Sequence, residues 1–259
     1  MHIASRKVRT CVLSRSTRVC RASLQQPLWN AAFMQQLQES LKRQEVAVAD
    51  QVGIPGLRIQ QGMAAGGEST GALVWSAGIR LASHLQANRA DLLRGARVLE
   101  LGSGTGIVGI TCAALGAHVL LTDKEDMVGS TTENVNANAA IIEAAGGSTQ
   151  VAVLNWDQPD EDILAQPYDW VLAADVTYEP AALEHLAGLM SRLVSANPDS
   201  MVKLAHRYRS SALDKTMRET FNGYGLVLRP VDVRSTATAG YVDPIKAEEA
   251  IVFYRVLPM

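Results

Sequence analysis

The sequence of 259 residues has only three cysteines, no apolar run of bilayer length, and no acidic side chain before Glu39. Three cysteines cannot build a disulfide framework, and Cys11, Cys20 and Cys112 show no metal-ligand spacing, so no metal is expected. Cys112 falls in an apolar helical stretch and reads as a small buried hydrophobe. Without about 18 consecutive apolar residues, no segment is expected to cross a membrane. The net charge of −2 provides no chain-wide field that would attract nucleic acid. A hydrophobic fraction of 47% with 19% charged residues excludes wholesale disorder. No internal repeat is visible.

The small net charge conceals an asymmetry. The first 38 positions carry +6, from Arg6, Lys7, Arg9, Arg15, Arg18 and Arg21, and the remaining 221 carry −8. Residues 1–23 are also rich in Ser and Thr and lack the apolar core of a secretory signal. That composition predicts an organelle transit peptide, for chloroplast or mitochondrion, or else a disordered basic leader on a cytoplasmic protein. The rest, 24–259, reads as one domain: an N-terminal extension over 24–60 and a core from about 61. Within the extension, Phe33, Leu37 and Leu41 predict a short amphipathic helix between Pro27 and Glu45. Leu57–Gln61 alternates like an edge strand.

From there strands and helices alternate. Val74, Gly78, Leu81 and Leu85 make a helical stripe. Short strands are predicted at Arg97–Leu101, His118–Thr122, Gln150–Leu154, Trp170–Ala174 and Met201–Ala205. Helices lie between them, one with Val128, Thr131, Val135, Asn138 and Ile142 on a single face. Leu226–Val233 and Ala250–Leu257 close the chain as two β-rich runs joined by a loop too short for a helical crossover, hence antiparallel. The fold class is therefore α/β: a Rossmann-like, seven-stranded, mostly parallel sheet with an antiparallel C-terminal pair and helices on both faces.

The most informative stretch is Glu100-Leu-Gly-Ser-Gly-Thr-Gly106. Glycines at 102, 104 and 106 directly after a strand let the backbone turn sharply and approach a ligand. Asp123 ends the next strand, where a carboxylate can accept ribose hydroxyls. Gly104, Gly106 and Gly109 also satisfy the dinucleotide fingerprint G-x-G-x-x-G. Against a nicotinamide cofactor stands Glu100, whose charge suits a cationic ligand better than a pyrophosphate. The short remainder after residue 200 also leaves little room for a dehydrogenase's substrate domain.

With Asp123, the Glu100–Gly106 loop resembles the nucleotide loop of the seven-strand S-adenosylmethionine methyltransferases. Val74-Trp75-Ser-Ala-Gly78, Asn155-Trp156-Asp157 and Ala174-Asp175-Val-Thr-Tyr178 narrow the resemblance to methyltransferase family 16, enzymes that modify lysine side chains of proteins. It covers about Leu57 to Val256. What it implies is S-adenosylmethionine as cofactor and a protein as substrate; from charge and hydropathy no partner among nucleic acids or membranes is expected, and a monomer is expected. Gly102, Ser103, Gly104 and Gly106 would then line the methionine and ribose portion, with Glu100 facing the amino group and Asp123 the ribose. Trp156 would pack on the adenine, Trp75 would close the pocket, and Ala174 would offer backbone contact. Asp175 and Tyr178 would be catalytic, Asp175 orienting the target ammonium by a charge-assisted hydrogen bond and Tyr178 fixing the nitrogen on the sulfur–methyl axis.

Plainer roles exist for several of these. Trp75 can be ordinary core, Asp175 a helix cap, and Tyr178 a turn residue. His206, between strand and Arg207 and Arg209, reads as a solvated rim, and Lys124 as surface charge. The loop 235–244 and the segment 57–70 would wall the acceptor site. A small-molecule acceptor, a non-lysine side chain, or a non-catalytic module keeping the fold are the competing readings.

Overall fold

The structure, a computed structural model, describes residues 44–62, 70–231 and 251–259. The basic leader, the predicted helix up to residue 43 and the loop 235–244 lie outside the described residues. Where that helix was expected to end, Gln44–Val46 is instead a strand, β1, paired antiparallel with β2 (Ile59–Gln61) around a short helix α1 (Ala49–Val52). A 3-10 turn at Thr70–Ala72 leads into α2 (Ser76–Leu93). Val74 therefore precedes the helix whose stripe it was expected to begin.

The core then alternates: β3 (Arg97–Leu101), α3 (Ile107–Ala114), β4 (His118–Asp123), α4 (Glu125–Ala137), α5 (Ala139–Ala144), β5 (Ser148–Val153), α6 (Glu161–Leu164) and β6 (Trp170–Ala174). After a second 3-10 turn (Pro180–Ala182) come α7 (Leu183–Ala196), β7 (Met201–Arg207), α8 (Ser211–Gly223), β8 (Leu226–Val231) and β9 (Ile251–Pro258). The seven-stranded sheet has the order β5-β4-β3-β6-β7-β9-β8. Every neighbouring pair from β5 to β7 is parallel, whereas β9 runs antiparallel to both β7 and β8. Right-handed crossovers are the expected connection for parallel pairs. The order reverses between β3 and β6, and open parallel sheets hold their ligands at the carboxyl ends beside such a switch.

Two apolar layers sandwich the sheet. One joins Leu81, Leu85, Ile110, Cys112 and Leu121, and the other Leu186, Met190, Leu193, Met217 and Phe221. Each such side chain contributes about 1.5–3 kcal/mol by leaving water. Helix α3 is buried from Ile107 through Ala113, as an all-apolar helix must be.

One predicted face is corrected. The stripe after β4 is not a single helix: it breaks at Asn138, between α4 and α5, and its buried positions are Met127, Thr131, Asn134, Asn138 and Ile142, not Val128 and Val135. The burial is polar for a reason. Asn134 accepts the N–H of Gln60 at 2.8 Å and donates to its carbonyl at 2.9 Å. Asn138 does the same for Arg58, at 2.9 and 2.6 Å. Two side-chain amides thus stand in for a neighbouring strand along the open edge of β2, whose backbone groups would otherwise lack partners.

Candidate active site

The glycine loop is fixed through its backbone. Ser103 N–H donates to the Thr122 carbonyl at 2.9 Å, and Gly104 N–H to Asp123 Oδ2 at 2.6 Å. The carbonyls of Gly104 and Thr105 accept from Thr131 Oγ1 (2.7 Å) and Asn134 Nδ2 (2.9 Å). Gly102 has φ +64°, and a Cβ there would stand 2.7 Å from Val176 and 3.2 Å from the Trp156 ring. On Gly104, at φ +53°, it would stand 2.7 Å from the Gly71 carbonyl. Only glycine fits either place.

Above this loop opens a cavity of about 390 Å³, within the ~300–1,000 Å³ usual for small-molecule sites. Of the residues singled out from the sequence, Trp75, Glu100, Gly102, Ser103, Gly104, Asp123, Trp156, Ala174, Asp175 and Tyr178 all line it. Gly106 does not. It starts α3 at φ +81°, with space for a Cβ already taken by Ile110, Leu121 and Thr131, so its task is the turn and the packing behind the loop.

Glu100 is 2% exposed and accepts the N–H of Gly109 at 2.8 Å. Burial pushes its carboxyl up to about 8, against the Gly109 hydrogen bond and with a smaller push from Asp123. Gly109 is dictated by this contact, since a Cβ there would meet Glu100 Oε2 at 2.5 Å. Asp123 is also raised, mainly by burial, and opposed by the N–H groups of Gly104 and Lys124. The hydroxyl of Ser103 is buried without a protein partner. A bare backbone floor, an orphaned hydroxyl, the buried Glu100 and the half-buried Asp123 fit a nucleoside carrying an ammonium group.

Elsewhere on the cavity lining, Trp75 Nε1 donates to the Thr70 carbonyl at 2.9 Å, and Tyr178 OH lies 3.4 Å from Thr70 Oγ1. Asp175 caps no helix; it sits just past β6 in a left-handed conformation (φ +57°) and is held there by Arg209, whose Nη1 is 2.8 Å from its Oδ1. That contact is one of charge, since neither carboxylate oxygen receives an aligned hydrogen bond. For a non-glycine residue this backbone is strained, a trait that clusters at functional sites.

The solvated-rim reading of His206 and Arg209 is wrong. His206 is fully buried with Nδ1 2.7 Å from Thr177 Oγ1, and burial, aided by Arg209, pushes it down to about 4. The Arg209 side chain is 9% exposed.

A family model described as lysine methyltransferase matches residues 54–220. The chain belongs to the lysine methyltransferase family. Among its relatives, Protein N-lysine methyltransferase METTL21A of Danio rerio is 36% identical over 149 residues, 57% of this chain and 66% of that protein. EEF1A lysine methyltransferase 3 of Xenopus tropicalis is 39% identical over 105 residues, 40% of this chain and 44% of that protein. The matched part is thus less than two thirds of either relative's length. The solved structure of SMU.776, complexed with SAH, has a TM-score of 0.50 at 14% identity, covering 78% of this chain and 53% of that one. At that identity the likeness is one of fold.

In this lysine methyltransferase family member the cavity also takes lining that the motifs did not mark. Gly71 roofs the loop, Met127 and Lys124 flank Asp123, and Glu179 and His185 stand near Tyr178 in sequence. Lys124, read as surface charge, is exposed yet reaches the cavity. Among the described residues no helix is long and apolar enough to cross a membrane, and no cluster of His, Cys, Asp and Glu could hold a metal.

Proposed function

We propose that this protein transfers a methyl group from S-adenosylmethionine to a lysine side chain of a protein. The observation that carries the reading is one cavity lined both by the glycine loop with Asp123 and by Asp175 with Tyr178. When bound, the cofactor would supply a sulfonium-activated methyl group that leaves to the acceptor nitrogen as the sulfur recovers its electron pair.

The chain's own residues bind and align. Glu100 would take the amino group of the cofactor, Asp123 the ribose hydroxyls, and the unpartnered hydroxyl of Ser103 the methionine portion. Gly102 and Gly104 would keep the floor bare, Trp156 would cover the adenine, Trp75 would close the cofactor pocket, and Ala174 would offer backbone contact. Asp175 would accept a hydrogen bond from the incoming nitrogen and Tyr178 would fix it on the sulfur–methyl axis. Neither must be a strong base, because the excess proton can leave to water.

The basic, acid-poor stretch before Glu39 supports an organelle address over a cytoplasmic one; sequencing the mature N-terminus tests it, and an intact Met1 contradicts it. Calorimetry with S-adenosylhomocysteine, followed by transfer of a tritiated methyl group into an extract, tests the activity. Label in protein, released as methyl-lysine on hydrolysis, supports the reading. Label confined to small molecules sinks it.

A further inference from the structure

Arg209 touches both Asp175 and Tyr178. Its Nη1 is 2.8 Å from Asp175, and its guanidinium carbon lies 5.7 Å from the centre of the Tyr178 ring. Together with Thr70, Trp75 and Tyr178 it closes a small recess beside the main cavity. A second interaction of Arg209, with the Arg207 carbonyl at 3.1 Å, fixes the guanidinium from its own chain.

We propose that Arg209 is a positioning residue that cancels the charge of Asp175, so that the acceptor end receives a neutral amine and not an ammonium ion. The inference rests on the methyl-transfer reading above. A lone buried carboxylate would attract a lysine in its charged form, whose nitrogen has no lone pair to offer. A carboxylate already matched by a fixed guanidinium gives no net attraction to a second cation, and the guanidinium repels it. Asp175 still accepts an N–H from the neutral amine, leaving the nitrogen lone pair free to form the new N–CH₃ bond. The proton removed beforehand goes to solvent.

Other charges leave this balance in place. His206, packed behind the pair, is buried and titrates near 4, so it is neutral at pH 7–9. Behind it Asp214 and Arg218 on α8 neutralise each other at 2.8 Å. Glu179 and His185 line the cavity near Tyr178, and Asp157, beside Trp156, lines it too. Glu100, Asp123 and Lys124 line the cavity as well, and burial raises both carboxyls, that of Glu100 to about 8.

The test uses the full chain saturated with S-adenosylhomocysteine, whose neutral sulfur removes the cofactor's own charge, and ¹³C-labelled n-butylamine as a lysine side chain without its backbone. Binding is followed by NMR between pH 7 and 9, where the free neutral amine rises about tenfold per unit. The wild type should bind about tenfold more tightly per pH unit, with the bound carbon shift of the neutral amine. R209K should keep that slope, and R209M should lose it and bind the ammonium form. Glu100 is unchanged across this comparison. If R209M does not fold, the wild-type slope and R209K still decide. A flat wild-type profile, no amine binding, or an unaltered slope in folded R209M overturns the proposal. Failure to bind S-adenosylhomocysteine at all overturns the methyltransferase reading itself, and this inference with it.

Discussion

Asp123 accepts the backbone N–H of Gly104 at 2.6 Å, so the carboxylate that ends β4 also shapes the turn that ends β3. The same side chain receives the Lys124 N–H at 2.8 Å on its other oxygen. It therefore has a structural task before any ligand arrives. Asp123→Ala should weaken S-adenosylhomocysteine binding by roughly 10- to 100-fold, the worth of one charge-assisted hydrogen bond at about 1.5–3 kcal/mol. Calorimetric titration checks it; an unchanged Kd would show that the ligand does not use this carboxylate.

The asparagine clasp couples the N-terminal hairpin to the same loop. Asn134 holds Gln60 on one side and the Thr105 carbonyl on the other. Asn134→Ala should cost about 1–3 kcal/mol, because it strands buried backbone groups. The urea midpoint reads the loss, and hydrogen exchange at Gln60 should accelerate together with exchange in the glycine loop. Faster exchange in the hairpin alone would mean that the two are not linked.

Glu100 makes stability depend on pH. Its carboxyl is raised from 4.5 to about 8 in the folded state, so between those values the unfolded chain has released a proton that the native state keeps. Stability of the ligand-free protein is thus highest below about 4.5 for this group, falls as pH rises, and levels off above about 8. Glu100→Gln keeps an oxygen for the Gly109 N–H and should remove that slope. Urea denaturation at several pH values across this range measures it, and parallel profiles for wild type and variant would refute the assignment.

A substitution at Gly109 tests the packing beneath the loop. A Cβ would sit 2.5 Å from Glu100 Oε2 and 2.7 Å from Leu121. Gly109→Ala should lose about 1–3 kcal/mol, the usual cost of overpacking. Thermal melting checks it, and an unchanged Tm would mean that β3 and α3 can separate cheaply.

Much of this was legible in the sequence because it is written locally. Glycines 102 and 104, Asp123, Trp156 and Asp175 each stand at the end of a strand that the apolar pattern marks, so the pattern alone gathers them at one edge of the sheet. What could not be read is set by distant partners. Nothing near Asn134 or Asn138 says that their amides must satisfy β2, more than 70 residues upstream. Arg209 looked like solvated charge beside Arg207, because its burial depends on Asp175 reaching it from another strand. Gly106 belongs to the same motif as its neighbours but faces backwards, and a spacing rule carries no side.

The most direct measurement of the central claim is mass spectrometry of an extract incubated with the purified protein and S-adenosylmethionine bearing a trideuterated methyl group. Trideuteromethyl-lysine should appear in a protein with the wild type, and should vanish with Asp175→Ala while that variant still binds S-adenosylhomocysteine. Heavy label that persists at full strength in Asp175→Ala, or that never reaches lysine, would contradict the account.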